Sequence, residues 1–317
     1  MAVEIVNYTP ALTADLVNAV NLALAPLRDL PRVNPEGPEL GIYTHADLIR
    51  RFEQGLVDPD CSHAALVDGV PVAVAECRTD TAHDVAGLGW VLTHPQFAGR
   101  GLARRCLEQC LVCVGGRGVT EMRTIGIIDS RWTGACAFLE RLGFEAHDPE
   151  HSNILMQIDI KAYEPREPIL PAGYRIVTYH RGDEEHWARL KTVIFGDETR
   201  PEYFLDTFAA RHDFDPQGWL FVERGEEKVG FTGAMICRNR QTGAVTGGQI
   251  HWVGATPEER GKGLGEALMI AGLNYFKAFD ADPCILQTQP FRVPAVKLYE
   301  KLGFKYVRAE RTYVKKL

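Results

Sequence analysis

The sequence predicts an α/β protein made of two tandem copies of one mixed-sheet (α+β) fold, and three observations carry that prediction. The chain has 317 residues, 45% of them apolar, which exceeds one typical domain and gives each half enough material for its own core. Its two halves also repeat one another. Finally, each half reads as strand, glycine loop, helix, strand, helix.

The repeat rests on two matched pairs of segments. WVLTHPQFAGRGLA, from Trp90 to Ala103, answers WVGATPEERGKGLG, from Trp252 to Gly265, at an offset of 162 residues. Further on, FLERLGF (Phe138 to Phe144) answers LYEKLGF (Leu298 to Phe304) at an offset of 160. Order is kept and spacing nearly so. Between the halves, Lys161 to Gly173 holds three prolines and a glycine, which interrupt every periodic pattern. The join is therefore expected near residue 165, giving domains 1–163 and 173–317 with 164–172 as linker.

The elements follow in order. Glu4–Tyr8 and Tyr174–Tyr179 open the two halves as short strands, each followed by helical patterns. In the second half Trp219–Glu223, Val229–Cys237 and Gln249–Ala255 alternate as consecutive strands. After each glycine loop an apolar stripe marks a helix: Leu102, Cys106, Leu107 and Cys110 in the first half, and Leu264, Ala267, Leu268 and Ala271 in the second.

Composition narrows the function classes. The formal charge is −7, from 35 basic and 42 acidic residues, so the overall basic excess of a nucleic-acid binder is absent. No basic leader precedes an apolar stretch, and no apolar run approaches the roughly 20 residues of a membrane span. The expectation is a cytoplasmic protein with no membrane or nucleic-acid partner. Cys106, Cys110 and Cys113 fall at i, i+4 and i+7 of one helix and read as a buried, reduced core stripe. Cys110 and Cys113 form a C-x-x-C, but no second Cys/His pair follows at zinc-ligand spacing, so no metal is expected.

The chemistry sits in the glycine loops. Arg260-Gly261-Lys262-Gly263-Leu264-Gly265 lies between a strand and a helix, where glycines let the backbone approach a ligand and the helix N-terminus faces an anion. A turn that merely reverses the chain is the bland alternative. The dinucleotide fingerprint requires its third glycine three residues after the second, and a Walker loop requires Gly-Lys followed by Ser or Thr; neither is met.

The loop resembles the acetyl-CoA loop of the GCN5-related N-acetyltransferases (Arg or Gln, two residues, Gly, one residue, Gly or Ala), with Arg260, Gly263 and Gly265 at every fixed position. The late helix is similar too. Ala295, Tyr299, Gly303 and Phe304 fall on that family's Asn-x-x-Ala-x-x-x-Tyr-x-x-x-Gly-Phe, with Arg292 in place of the Asn. The tandem layout resembles that of the mycothiol synthases and their relatives, which place activity in the second copy.

The resemblance implies acetyl-CoA as co-substrate and direct attack by a primary amine, with no covalent enzyme intermediate. Tyr299 then protonates the leaving thiolate or orients the sulfur; at helical spacing from Ala295 and Leu302 it also fits plain core packing. The resemblance places backbone amides of Val253, Gly254 and Ala255 at the oxyanion and pantetheine arm, and Arg260, Lys262 and Arg292 near the cofactor, although Arg292 facing solvent fits equally. Relatives often carry a glutamate near Gln249. Glutamine is no base, so His251, two residues along the same strand face and ordinarily titrating near neutrality, is the substitute; a merely hydrogen-bonded histidine fits as well.

The first half has Gly87, Gly89 and Leu139 where the second has Gln249, His251 and Tyr299, so it is expected not to catalyse. Its loop, Gly99, Arg100, Gly101, Leu102 and Ala103, is a possible second cofactor site, although Ala98 breaks the first fixed position. The acceptor is expected to be a small molecule, with the acids of Phe195–Arg211 as candidate contacts for its amine. Two alternatives stand beside this reading: a non-catalytic acyl-CoA sensor or scaffold, and a protein-lysine acetyltransferase. Internal duplication favours a monomeric pseudo-dimer over a homo-oligomer.

Overall fold

The computed structural model describes residues 2–28, 42–80, 84–150, 152–211, 213–239 and 242–317. Contacts divide them into two compact units: one runs from the N-terminus to Ser152 and takes in Ala309–Leu317, and the other is Asn153–Arg308.

In the first unit, β1 (Val3–Asn7) leads through α1 (Thr13–Arg28) and α2 (His45–Glu53) to β2 (His63–Val67), β3 (Val70–Asp80) and β4 (Val85–Thr93). These four strands are antiparallel neighbours. Next come α3 (Leu102–Gly116) and β5 (Glu121–Thr124), which lies parallel to β4, then β6 (Ile128–Asp129), α4 (Thr133–Arg141) and β7 (Glu145–His147). Pro10–Leu27 is, by length and composition, apolar enough to cross a membrane, contrary to the sequence reading. Here its stripe of Leu16, Val20 and Leu24 packs into the core with Tyr8 and Leu48. A capping box between Thr44 and Asp47 starts α2.

Two sequence expectations change in this unit. Cys106 and Cys110 are buried and free, but Cys113 is disulfide-bonded to Cys61, 5.4 Å away between Cα atoms, so the cysteine stripe is reduced in only two of its three members. Spacing along one helix cannot reveal a partner 52 residues distant in the chain. The other change concerns the join. Residues 153–163, assigned by sequence to the first half, group with the second unit, and Ala309–Leu317 group with the first. There Val314 pairs with Arg123 of β5 and with Glu145 of β7.

The second unit begins with β8 (Ile154–Ile158) and continues through β9 (Tyr174–Thr178), α5 (Asp183–Phe195), α6 (Pro201–Phe204) and a π-helical turn, Leu205–Ala209. It is completed by β10 (Trp219–Arg224), β11 (Glu227–Arg238), β12 (Val245–Ala255), α7 (Leu264–Ala278), β13 (Cys284–Thr288), α8 (Val293–Lys301) and the start of β14 (Lys305–Lys316). Strands β9 to β12 are antiparallel, β13 joins β12 in parallel, and β8 caps β13 antiparallel. One core packs Leu273 and Phe276 of α7 on Ile236, Ile250 and Leu286. A second is aromatic and centres on Trp187, which touches Phe204, Phe208, Trp219 and Trp252. Gly233 makes room for it, since a Cβ there would stand 2.8 Å from the Trp219 ring.

The fate of the chain's last strand can be tested. Tyr313 is fully buried in the first unit, donates to Glu140 Oε1 at 3.0 Å, and its backbone N–H bonds Thr124 Oγ1 at 3.0 Å. Tyr313→Ala is expected to destabilise that unit by about 3–5 kcal/mol, read from the denaturant midpoint. Tyr306→Ala, on the same strand but exposed, should change it by less than about 0.5 kcal/mol.

Candidate active site

The second unit's sheet splits at β12. Gly233 lies opposite His251 and Phe231 opposite Gly254, so Trp252 and Val253 together face the single residue Thr232: a β-bulge, with Trp252 at φ 46°. The parallel ladder to β13 ends at Ile250 with Leu286. Beyond that point the strands part around a cavity of about 490 Å³.

Three elements furnish its walls. From β12 come Gln249, His251, Trp252 and Val253; from β13 and the turn after it, Gln287, Thr288 and Gln289; from α8, Arg292, Ala295 and Tyr299. Phe195 at the end of α5, Asp197 after it, Asn153 before β8, and the apolar Ile250 and Leu286 complete the lining. Asp197 is thus the one acid of the flagged Phe195–Arg211 stretch that reaches the cavity among the described residues, and the buried Lys191 holds it at 3.1 Å.

Polar groups inside it are unequally satisfied. Arg292 donates through Nε to Gln289 Oε1 at 2.8 Å, and Gln289 donates in turn to Asn153 Oδ1 at 2.9 Å. The Arg292 guanidinium stands 5.7 Å from the Phe195 ring and 5.3 Å from that of Phe291. His251 differs: its Nε2 is buried and has no hydrogen-bond partner among the described residues. Burial, helped by the charge of Arg211, pushes its pKa down to about 4, which corrects the expectation of a near-neutral value. Tyr299 is 7% exposed; burial pushes its hydroxyl up to about 12 against the pull of Arg292, so it keeps its proton at neutral pH.

The glycine loop leaves the end of β12. Gly261 and Gly263 take φ of 76° and 79°, values that favour glycine, and Gly263 is the N-cap of α7 with no side-chain cap on the helix amides. Leu264 is buried in the core, and Gly265 faces Leu298 of α8 at 3.6 Å from a would-be Cβ. Lys262 donates to Glu259 Oε2 at 2.7 Å and to the Tyr174 hydroxyl at 3.1 Å, while Arg224 binds the same carboxylate at 2.5 Å. Those bonds, with Lys262 and Tyr174 foremost, hold the Glu259 carboxyl below its usual range. Lys262 therefore anchors the loop, and Arg260 is the exposed cation beside it.

Not every residue named from sequence reaches the cavity. Val253 does; Gly254 and Ala255 stand in register with Phe231 and Gly230 of β11, and a Cβ on Gly254 would sit 2.6 Å from Ile194. Sequence reasoning missed Asn153, Gln287, Thr288 and Gln289. Asn153 precedes the expected join, and the other three carry no motif. In the first unit Gly99 and Gly101 repeat the loop geometry at φ 76° and 73°, with Gly101 the uncapped N-cap of α3 and Leu102 buried behind it. Arg100 there lies 5.1 Å from the Phe97 ring, and Ala103 faces that unit's own cavity.

Comparison with known proteins agrees with this architecture. The model of the Acetyltransferase (GNAT) family matches twice, at residues 25–144 and 183–304. The mycothiol acetyltransferase of Thermobispora bispora is 32% identical over 222 residues, covering 68% of this chain and 72% of that protein. That of Saccharomonospora viridis is 27% identical and covers 96% and 97%. Among solved structures, a tandem GNAT protein from the clavulanic acid biosynthesis pathway superposes with a TM-score of 0.56 at 16% identity, covering 99% of this chain and 98% of that one. A GCN5-related N-acetyltransferase from Sphaerobacter thermophilus gives a TM-score of 0.56 at 18% identity, with 99% and 95% covered. The chain belongs to the GNAT family of acetyltransferases and carries two such domains in tandem.

Proposed function

We propose that the second unit transfers an acetyl group from acetyl-CoA to the primary amine of a small molecule. The observation that carries this reading is the split between β12 and β13, which opens a cavity lined by both Tyr299, whose hydroxyl keeps its proton, and His251, whose buried Nε2 has no hydrogen-bond partner among the described residues. The residues fit the cofactor: the uncapped N-terminus of α7, behind two glycines at positive φ, suits its pyrophosphate, and Arg260 adds positive charge. Bound there, acetyl-CoA supplies an activated acyl group as a thioester.

The remaining work falls to the chain's own side chains. Tyr299 holds a proton for a leaving thiolate. His251, neutral across the physiological range, accepts a hydrogen bond from the incoming amine and keeps it oriented; with a pKa of about 4 it is a weak base, and proton removal runs from the amine to solvent. Asp197, the one carboxylate among the described lining residues, receives the amine's positive charge before attack. Amide side chains from Gln249, Gln287 and Gln289 make the acceptor side polar, which suits a hydrophilic metabolite. The similarity to mycothiol acetyltransferases makes their acceptors the first to assay. We place this activity in the cytoplasm, in a monomer.

Three outcomes test the reading. Isothermal titration should show that acetyl-CoA binding to the second unit is lost in Gly263→Glu, which sets charge and bulk at the pyrophosphate position; retained binding there would remove the loop from the site. Tyr299→Phe should lower kcat about 100-fold with the acetyl-CoA KM little changed, as loss of a general acid requires. The third outcome concerns pH and stability. Because His251 titrates lower folded than unfolded, its contribution is present in full above about pH 6.5 and is lost as pH falls toward 4. His251→Gln should therefore lose less stability than the wild type between pH 7 and 5, by about 2 kcal/mol in urea unfolding.

A further inference from the structure

The first unit contains a cavity of its own, about 350 Å³, in the position that the internal repeat assigns to the catalytic cavity of the second. The repeat allows a comparison position by position. At an offset of 162, Ile250, His251 and Trp252 become Leu88, Gly89 and Trp90; at an offset of 160, Arg292, Ala295 and Tyr299 become Trp132, Ala135 and Leu139. All twelve of these residues line their respective cavities. Every ionisable group among the first set is thus replaced by glycine or by an apolar or aromatic side chain. Space has been kept while polarity has been removed, and no charged side chain lines this cavity among the described residues.

One ion pair adjoins the wall at Trp90. Arg51 stacks 3.8 Å from the Trp90 ring centre and pairs with the buried Glu76 at 2.5 Å, and Glu76 also accepts the Trp90 backbone N–H at 3.4 Å. Tyr43 packs edge-on against Trp90 at 4.7 Å, so the ring is held from two sides. A neutral, aromatic-walled space of this volume is more than twice the roughly 150 Å³ apolar cavity that takes up benzene, and it falls within the range of small-molecule pockets.

We infer that the first unit is a binding site for an uncharged hydrocarbon group the size of a medium-length acyl chain, bound between β4 and α4 and not chemically altered. Desolvation of the hydrocarbon provides the affinity, and the lining offers an acetyl group too little apolar area to bind comparably. Two sources could present such a group, a free carboxylate or a thioester, and the inference does not depend on the activity of the second unit.

The test uses full-length Gly263→Glu protein, which silences the second unit's loop, titrated with octanoate, octanoyl-CoA and acetyl-CoA. At least one octanoyl ligand should bind at one site per chain, about tenfold or more tighter than acetyl-CoA. Adding Ala135→Trp or Ala103→Phe, at partly open positions on the cavity wall, should abolish that binding with the thermal midpoint kept. Octanoate binding would assign the free acid as a sufficient source; binding of octanoyl-CoA alone would assign the thioester, and either supports the site. The inference is overturned if neither ligand binds at about 1 mM, if acetyl-CoA binds as tightly, or if both filling variants fold and still bind.

Discussion

The second unit's cavity depends on one residue held where it would not rest by itself. Trp252 adopts φ 46°, a left-handed conformation that costs a bulky residue on the order of 1–3 kcal/mol. Its ring supplies the compensation: it meets Trp187 edge-on at 5.6 Å and Phe208 at 5.4 Å, with the Lys191 ammonium 5.7 Å from its centre. An aromatic contact is worth about 0.5–1.5 kcal/mol beyond the area it removes from water, so the two together are of the same order as the backbone strain and offset it. The bulge then fixes what the cavity contains. It re-aims β12 past Ile250, ends the ladder to β13, and puts His251 and Val253 on the wall of the gap.

Burial that creates the gap also sets its electrostatics. Removing His251 from water without a partner favours its neutral form, and removing Tyr299 favours its protonated form. One desolvation effect therefore leaves a neutral imidazole and a protonated hydroxyl on residues that line the same cavity, with Arg292 moderating the second. The glycine-loop end is organised separately: Glu259 gathers Lys262, Tyr174 and Arg224 and pins the loop, leaving the helix amides of α7 uncapped. Lys262 spends its charge on Glu259 and Tyr174, and so immobilises the loop backbone.

What could be read from the chain was what is local. The glycine loops, the helices after them, strands β9 to β12 and the position of Tyr299 are encoded by periodicity and by residues with special backbone freedom. Long-range pairing was not legible. Ile154–Ile158 reads as any short strand, and nothing in those five residues says that β13, more than a hundred residues later, is their partner. The Cys61–Cys113 bond has the same character. Nor could the pKa of His251 be read from a pattern, because it arises from the packing of Phe208 and Trp252 around the ring and from Arg211. Glutamines 287 and 289 acquire a role through the parting of two strands, which is a property of the sheet.

The two units share a frame and differ in what lines it. Both keep a glycine loop with two positive-φ residues and an uncapped helix behind it, and both set two residues of the strand before that loop against one of its antiparallel neighbour, Gly89 and Trp90 against Glu76 in the first case. That frame is thus compatible with opposite linings. At the bulge of the first unit, a carboxylate neutralised by Arg51 meets the Trp90 backbone and the cavity is lined without charged side chains among the described residues; in the second, Thr232 bonds the His251 carbonyl and the cavity is polar. A glycine loop shows only that a backbone can approach a ligand. The side chains at the strand split set the chemical character of the cavity, because they determine which groups are desolvated there and which protons they hold.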